Sequence, residues 1–151
     1  MKTSLVNVLT LAAGLLAAAT GQAIAEANTP AEPMALRRVM TELGRHMQTL
    51  ADGISREDWA LVAKTAPLIA DHPQPPAAEK VRIMGFFGAA MGKFKGHDEA
   101  THGAAQALGQ AAASRDGLAV IGAFHKLQTS CYNCHREFRQ PFLQHFYGER
   151  R

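Results

Sequence analysis

From Glu32 to Gly53 and just beyond, apolar residues recur at steps of three and four: Leu36, Val39, Met40, Leu43, Met47, Leu50 and Ile54. That spacing draws one apolar stripe along a helix, the pattern of a bundle helix with a single buried seam. Gly53 reads as its C-cap. Ser55, with Asp58 three residues on, reads as the start of a second helix in a capping-box-like arrangement, with Trp59, Val62, Ala66 and Ile69 on its inner face. His72-Pro73-Gln74-Pro75-Pro76 ends that helix, because proline lacks an N–H and restricts the residue before it. From Ala77 to Ser114 the pattern stays helical but is broken by Gly85, Gly88, Gly92 and Gly96, around Phe86, Phe87, Met91 and Phe94. It predicts a short helix followed by the main third one. From about Asp98 to Ala113 the chain is alanine-rich, so a neighbouring helix or a flat ligand can approach closely. Asp116 reads as the cap of the last helix, which carries Leu118, Ile121, Phe124, Leu127, Cys131, Cys134, His135 and Phe138 on or near one face. Pro141 is predicted to end or kink it near Gln140. The tail, residues 142–151, is expected to pack back through Phe142, Leu143, Phe146 and Tyr147. With no segment alternating at period two, the predicted fold is all-α, an antiparallel four-helix bundle.

The first residues read differently. Lys2 precedes an apolar stretch from Leu5 to Ala19, and Ala23-Ile24-Ala25 has the small-x-small form that precedes signal cleavage. Residues 1–25 are therefore expected to be a secretory signal removed after Ala25, leaving 26–151 as one exported domain, in the periplasm. A membrane anchor is the competing reading, but an apolar core of about 15 residues falls short of the roughly 20 that span a bilayer. No later segment is long and uncharged enough to span, so the mature form is expected to carry none. The formal charge of +3 is mild and spread along the chain. A nucleic-acid binder concentrates its basic residues in a stripe, so no nucleic-acid partner is expected.

The chemistry lies in Cys131-Tyr132-Asn133-Cys134-His135, which holds both cysteines of the chain. A disulfide closing so small a loop stabilises little. Two thiols about one helical turn apart suit covalent attachment to the two vinyl groups of haem, and the histidine that follows suits ligation of its iron. A thioredoxin-like redox pair needs a strand–helix setting, and none is apparent. A structural zinc site needs two further ligands, and no second Cys or His pair at suitable spacing supplies them. The motif therefore predicts one covalent haem c on Cys131 and Cys134, with His135 as the proximal iron ligand.

A haem motif in the last helix of a four-helix bundle, continuing as His135-Arg136-Glu137-Phe138-Arg139, resembles the class II c-type cytochromes, which include cytochrome c′ and its low-spin relatives. The resemblance runs from the first helix to Arg139, and the tail beyond Pro141 lies outside it. It implies that a side chain of the first helix covers the distal face of the iron. An apolar one gives a five-coordinate cytochrome c′ that binds nitric oxide or carbon monoxide; a methionine closes the coordination sphere. Registering the first helix on Leu43-Gly44 through Leu50 puts Met40 at that position, and the apolar stripe also turns Met40 inward. Met47, seven residues on, is its rival. A thioether opposite histidine raises the reduction potential and favours outer-sphere electron transfer. The resemblance further implies Arg139 as a partner of the haem propionates, and a homodimer through the first two helices, as is frequent in the family.

The expected function is thus an electron carrier that meets redox partner proteins, with the gas-binding cytochrome c′ as the alternative. An enzyme is not expected, because a haem peroxidase needs an acid–base pair beside an open iron position and the sequence marks none. His46, His97, His102, His125 and His145 are weaker ligand candidates, since histidine on a solvated helix face is commonplace. Arg37 and Arg38 are weighed for the propionates against a solvated face. Phe86, Phe87 and Phe94 are weighed as haem-packing aromatics against ordinary core.

Overall fold

The apolar stripe of the first helix closes a seam: Leu36, Val39 and Leu50 are buried, while Leu43, Met47 and Ile54 are half-buried. A computed structural model of the chain describes residues 34–149, and the expected signal segment 1–25 lies outside them. Helices run over Ala35–Ser55 (α1), Trp59–Ala70 (α2), Ala77–Phe87 (α3), Met91–Ala113 (α4), Gly117–Cys134 (α5) and Gln140–Tyr147 (α6). A 3-10 turn, Gly88–Ala90, joins α3 to α4, and a π-helical turn, His135–Arg139, joins α5 to α6. There is no strand among the described residues. The protein is an all-α helical bundle.

Helices α1, α2, α4 and α5 surround the main core of Leu50, Val62, Ala66, Ile69, Leu108, Val120 and Leu127, all essentially without solvent contact. The turns from α1 to α2 and from α4 to α5 share one design. In each, a non-glycine residue with positive φ, Glu57 (55°) or Arg115 (56°), precedes an aspartate that caps the next helix. Asp58 accepts from the Leu61 N–H and Asp116 from the Ala119 N–H, both at 3.0 Å. Such short turns make the helices they join antiparallel neighbours.

A second core gathers at the other end of the helices. Leu36, Ile83, Phe87, Phe138 and Phe142 are buried there, with Phe86, Phe94, Cys134 and Phe146 packed against them. The described part of the tail folds back, helical as far as Tyr147: the Met34 N–H donates to the Tyr147 hydroxyl at 3.1 Å.

Four local expectations give way. Gly53 does not cap α1 but lies inside it, where a Cβ would meet Val62 Cγ2 at 3.1 Å; glycine serves close approach of α2 there. Ser55 is the last residue of α1, its hydroxyl donating to the Ala51 carbonyl at 2.8 Å, and Asp58 alone caps α2. Pro141 does not end the helical run, because the wide π turn precedes it and proline is tolerated in the first turn of α6. Leu118 and Ile121 are 85% and 57% exposed, and Val120 takes the inward position, since the face of α5 set by Leu127 passes through Val120.

Candidate functional site

Helix α5 delivers Cys131 and Cys134 from its last turn, and the π turn carries His135, Phe138 and Arg139 onward. A π turn widens the helix by one residue, which re-aims the side chains that follow, and such turns recur at functional sites. Both cysteines are free thiols, half-buried. Cys131 packs against the main core and Cys134 against the aromatic one. Burial pushes both thiols up in pKa, Cys134 to about 11, where the charges of Asp98, Cys131 and Glu137 add to the effect. His135 keeps solvent access. The protein packed around its ring nevertheless lowers its pKa, and the charge of Arg139 acts in the same sense; both favour the neutral imidazole.

A cavity of about 320 Å³ opens beside this segment. From α1 it receives Leu36, Arg37 and Met40; from α5 and the π turn it receives Cys134, His135, Phe138 and Arg139; Phe87 and Phe94 add aromatic wall. The structure thus brings Met40, Cys134, His135 and Arg139 to one cavity, while Cys131 stands outside its walls. Met40 is 38% exposed, so the stripe's inward reading of this residue is corrected: it faces the cavity, not the core, because the helices part here around the open volume. Met47 packs against the main core and is not a wall. An imidazole, a thioether, a thiol and a guanidinium in a largely apolar wall suit a flat, apolar, metal-bearing cofactor with anionic arms.

The two cavity arginines differ. The Arg37 guanidinium is engaged, 2.8 Å from the Glu149 carboxylate and over the Tyr147 ring at 4.7 Å from its centroid. Arg139 makes no ion pair among the described residues. Arg38 is exposed on α1 and is not a wall. Phe86 stacks on His145 with centroids 4.4 Å apart, also outside the walls. Neither His46 nor His125 lines the cavity, and His97 reaches the Glu137 carboxylate at 3.3 Å. That carboxylate also accepts from Lys93 Nζ at 3.2 Å, and the two contacts, lysine foremost, hold Glu137 below the usual range while tying α4 to the π turn.

The sequence reading missed one cluster. His72, at the start of the proline-rich loop, meets Asp98 and His102 of α4, with three potential ligand atoms converging. Asp98 and His102 stand four residues apart on one helix face, which was the available signal; His72 joins them from 26 residues away, beyond any local spacing.

Compared with known proteins, the chain matches no family model and no curated sequence.

Proposed function

We propose that this protein is an exported c-type cytochrome that carries electrons through a single haem attached at Cys131 and Cys134. One observation carries the reading: Met40 of α1 and His135 after α5 line the same cavity, together with Cys134 and Arg139. When bound, haem iron supplies one-electron chemistry by alternating between ferric and ferrous states. The chain's own residues do the rest. Cys131 and Cys134 would hold the group through two thioethers, each made by adding S–H across a vinyl group. His135, whose neutral form is favoured by its packed surroundings and by Arg139, offers a ring-nitrogen lone pair. Met40 offers a soft thioether from the facing helix, and Arg139, which has no ion-pair partner among the described residues, offers a guanidinium suited to propionate. Leu36, Phe87, Phe94 and Phe138 keep the wall apolar, which limits water and favours a high potential.

The partial exposure of Met40 favours a second reading, a distal side left open for nitric oxide or carbon monoxide. An absorption spectrum of protein matured in a host with the cytochrome-assembly machinery separates the two. Colour retained after acid–acetone extraction, with sharp reduced bands unaltered by carbon monoxide, is the result expected of the carrier. Broad high-spin bands that change on adding carbon monoxide turn the assignment to the gas binder. Pigment that washes away removes both.

A further inference from the structure

His72 lies just past the end of α2 and is buried; Asp98 and His102 reach it from successive turns of α4. His72 Nε2 is 3.0 Å from His102 Nε2 and 3.3 Å from Asp98 Oδ1, and the third edge, His102 Nε2 to Asp98 Oδ1, is 3.6 Å. Around a tetrahedral zinc ion with bonds of about 2.0–2.1 Å, ligand atoms lie about 3.3–3.4 Å apart. The observed triangle has that size. A point about 0.7 Å out of its plane is about 2.05 Å from all three atoms, which is where the ion of a regular tetrahedron sits above one face.

The protonation pattern leads the same way. His72 Nδ1 is 3.1 Å from the Pro73 carbonyl oxygen, which can only accept, so Nδ1 carries the hydrogen. In the neutral ring Nε2 is then a lone pair, and it faces a carboxylate oxygen and a second Nε2. A backbone carbonyl that fixes the far nitrogen is the usual second partner of a metal-bound histidine. His102 Nε2 either donates a hydrogen to His72 Nε2 or presents its own lone pair, and in the second form the three acceptor atoms converge on a positive centre, a proton or a metal ion. The donor set, two imidazole nitrogens and one carboxylate oxygen, is of borderline softness. It suits zinc or copper(II) and not calcium or magnesium, which prefer oxygen alone.

We propose that His72, Asp98 and His102 bind one divalent transition-metal ion of the zinc class, in a three-ligand site with a fourth position open. The bound ion fastens the proline-rich loop after α2 to the middle of α4. This site shares no ligand with the Cys131–His135 motif and stands whether or not that motif carries haem.

The test titrates zinc chloride into the chelator-stripped full chain, made without a histidine tag, in competition with a chromogenic chelator. The same titration is run on a Cys131→Ala/Cys134→Ala chain, which carries neither haem nor thiols. One zinc per chain is expected in both. His102→Ala and Asp98→Asn, at partly exposed helix positions that leave the fold intact by circular dichroism, are expected to weaken binding by at least about tenfold. His125→Ala is expected to leave it unchanged. Zinc is also expected to raise the melting temperature of the parent chain and not that of His102→Ala, because it binds the folded state alone. The proposal is overturned by no uptake, by equal affinity in His102→Ala and Asp98→Asn, or by loss of binding in the cysteine-free chain, which would assign the zinc to the thiols.

Discussion

Glu79 of α3 holds the first turn of α1: its carboxylate accepts from the Ala35 N–H at 2.7 Å and from the Leu36 N–H at 2.8 Å. No residue of α1 caps this end itself, for Met34 precedes the helix and has no polar side chain. The first N–H groups of a helix have no partner within it, and a carboxylate both satisfies them and opposes the positive end of the helix dipole. The same turn carries Leu36, Arg37 and, a little further, Met40 to the cavity. Glu79→Ala should lower stability by about 1–2 kcal/mol in urea unfolding and speed amide exchange in the first turn of α1. Unchanged exchange there would show that the cap is dispensable.

If the proposed carrier reading holds, Met40→Ala turns a low-spin spectrum of the matured protein into a high-spin one that responds to carbon monoxide. Met47→Ala should not do so, because Met47 packs on the main core. A spectrum moved by Met47→Ala and not by Met40→Ala reverses the ligand assignment.

In chain made without haem attachment, Cys134 should be a sluggish nucleophile. With its pKa pushed from 9.0 to about 11, chiefly by burial, its thiolate at pH 8 is about a hundredfold scarcer than that of an ordinary cysteine. The greater intrinsic reactivity of a more basic thiolate recovers roughly tenfold. Iodoacetamide should therefore alkylate Cys134 about ten times more slowly than a free thiol, as followed by peptide mass spectrometry, and reaction at the ordinary rate contradicts the burial.

The histidine–aspartate contact gives stability a pH window in metal-free protein. The hydrogen bond to Asp98 raises His72 above its ordinary 6.5, against the opposing effect of burial. The same bond lowers Asp98 below its ordinary 3.8. His72 therefore adds stability that is complete below 6.5 and is lost as pH rises through its raised folded value. Asp98 adds stability present above 3.8 that is lost as pH falls through its lowered folded value. In the presence of a chelator, the melting temperature of the parent should fall between pH 6 and 8 more steeply than that of Asp98→Asn. Parallel curves would mean that the pair is not coupled in solution.

Two glycines of α1 should respond oppositely to size. Around Gly44 nothing lies within 4 Å of an added Cβ, so Gly44→Ala should stabilise by about 0.5–1 kcal/mol through helix propensity. At Gly53 the methyl meets Val62 at 3.1 Å, so Gly53→Ala should gain less, and Gly53→Val should destabilise outright. Equal gains from the two alanine variants in urea unfolding would deny the close approach of α1 and α2.

Much of the bundle is legible in the one-dimensional pattern, because burial imposes a period. Leu36, Val39, Leu50, Val62, Ala66, Ile69 and Leu127 are inside as their spacing predicts, Asp116 caps α5, and the break between Ala77 and Ser114 falls at Gly88, whose φ of +51° suits glycine. The errors fall where a local signal has two uses. A glycine such as Gly53 can end a helix or admit a neighbour, and only the position of Val62 decides. Pro141 reads as a breaker until the turn before it is known to be wide. Of the cavity, Cys134 and His135 are marked by adjacency, while Arg139 and the register of Met40 come from the resemblance to class II c-type cytochromes. Phe87 and Phe94 are candidates in the sequence together with Phe86, and only tertiary packing puts those two on the wall and leaves Phe86 off it, just as it alone brings His72 to α4.

The wide turn at His135–Arg139 also sets the phase of everything after it. Dropping one residue from that segment would swing α6 by about 100°, carrying Phe142 and Phe146 off their aromatic neighbours and Tyr147 off the start of α1. Arg136, exposed and not a wall of the cavity, should thus accept changes of side chain far more readily than the segment accepts a change in its length, and a single-codon deletion there would strike both ends of the cavity wall at once.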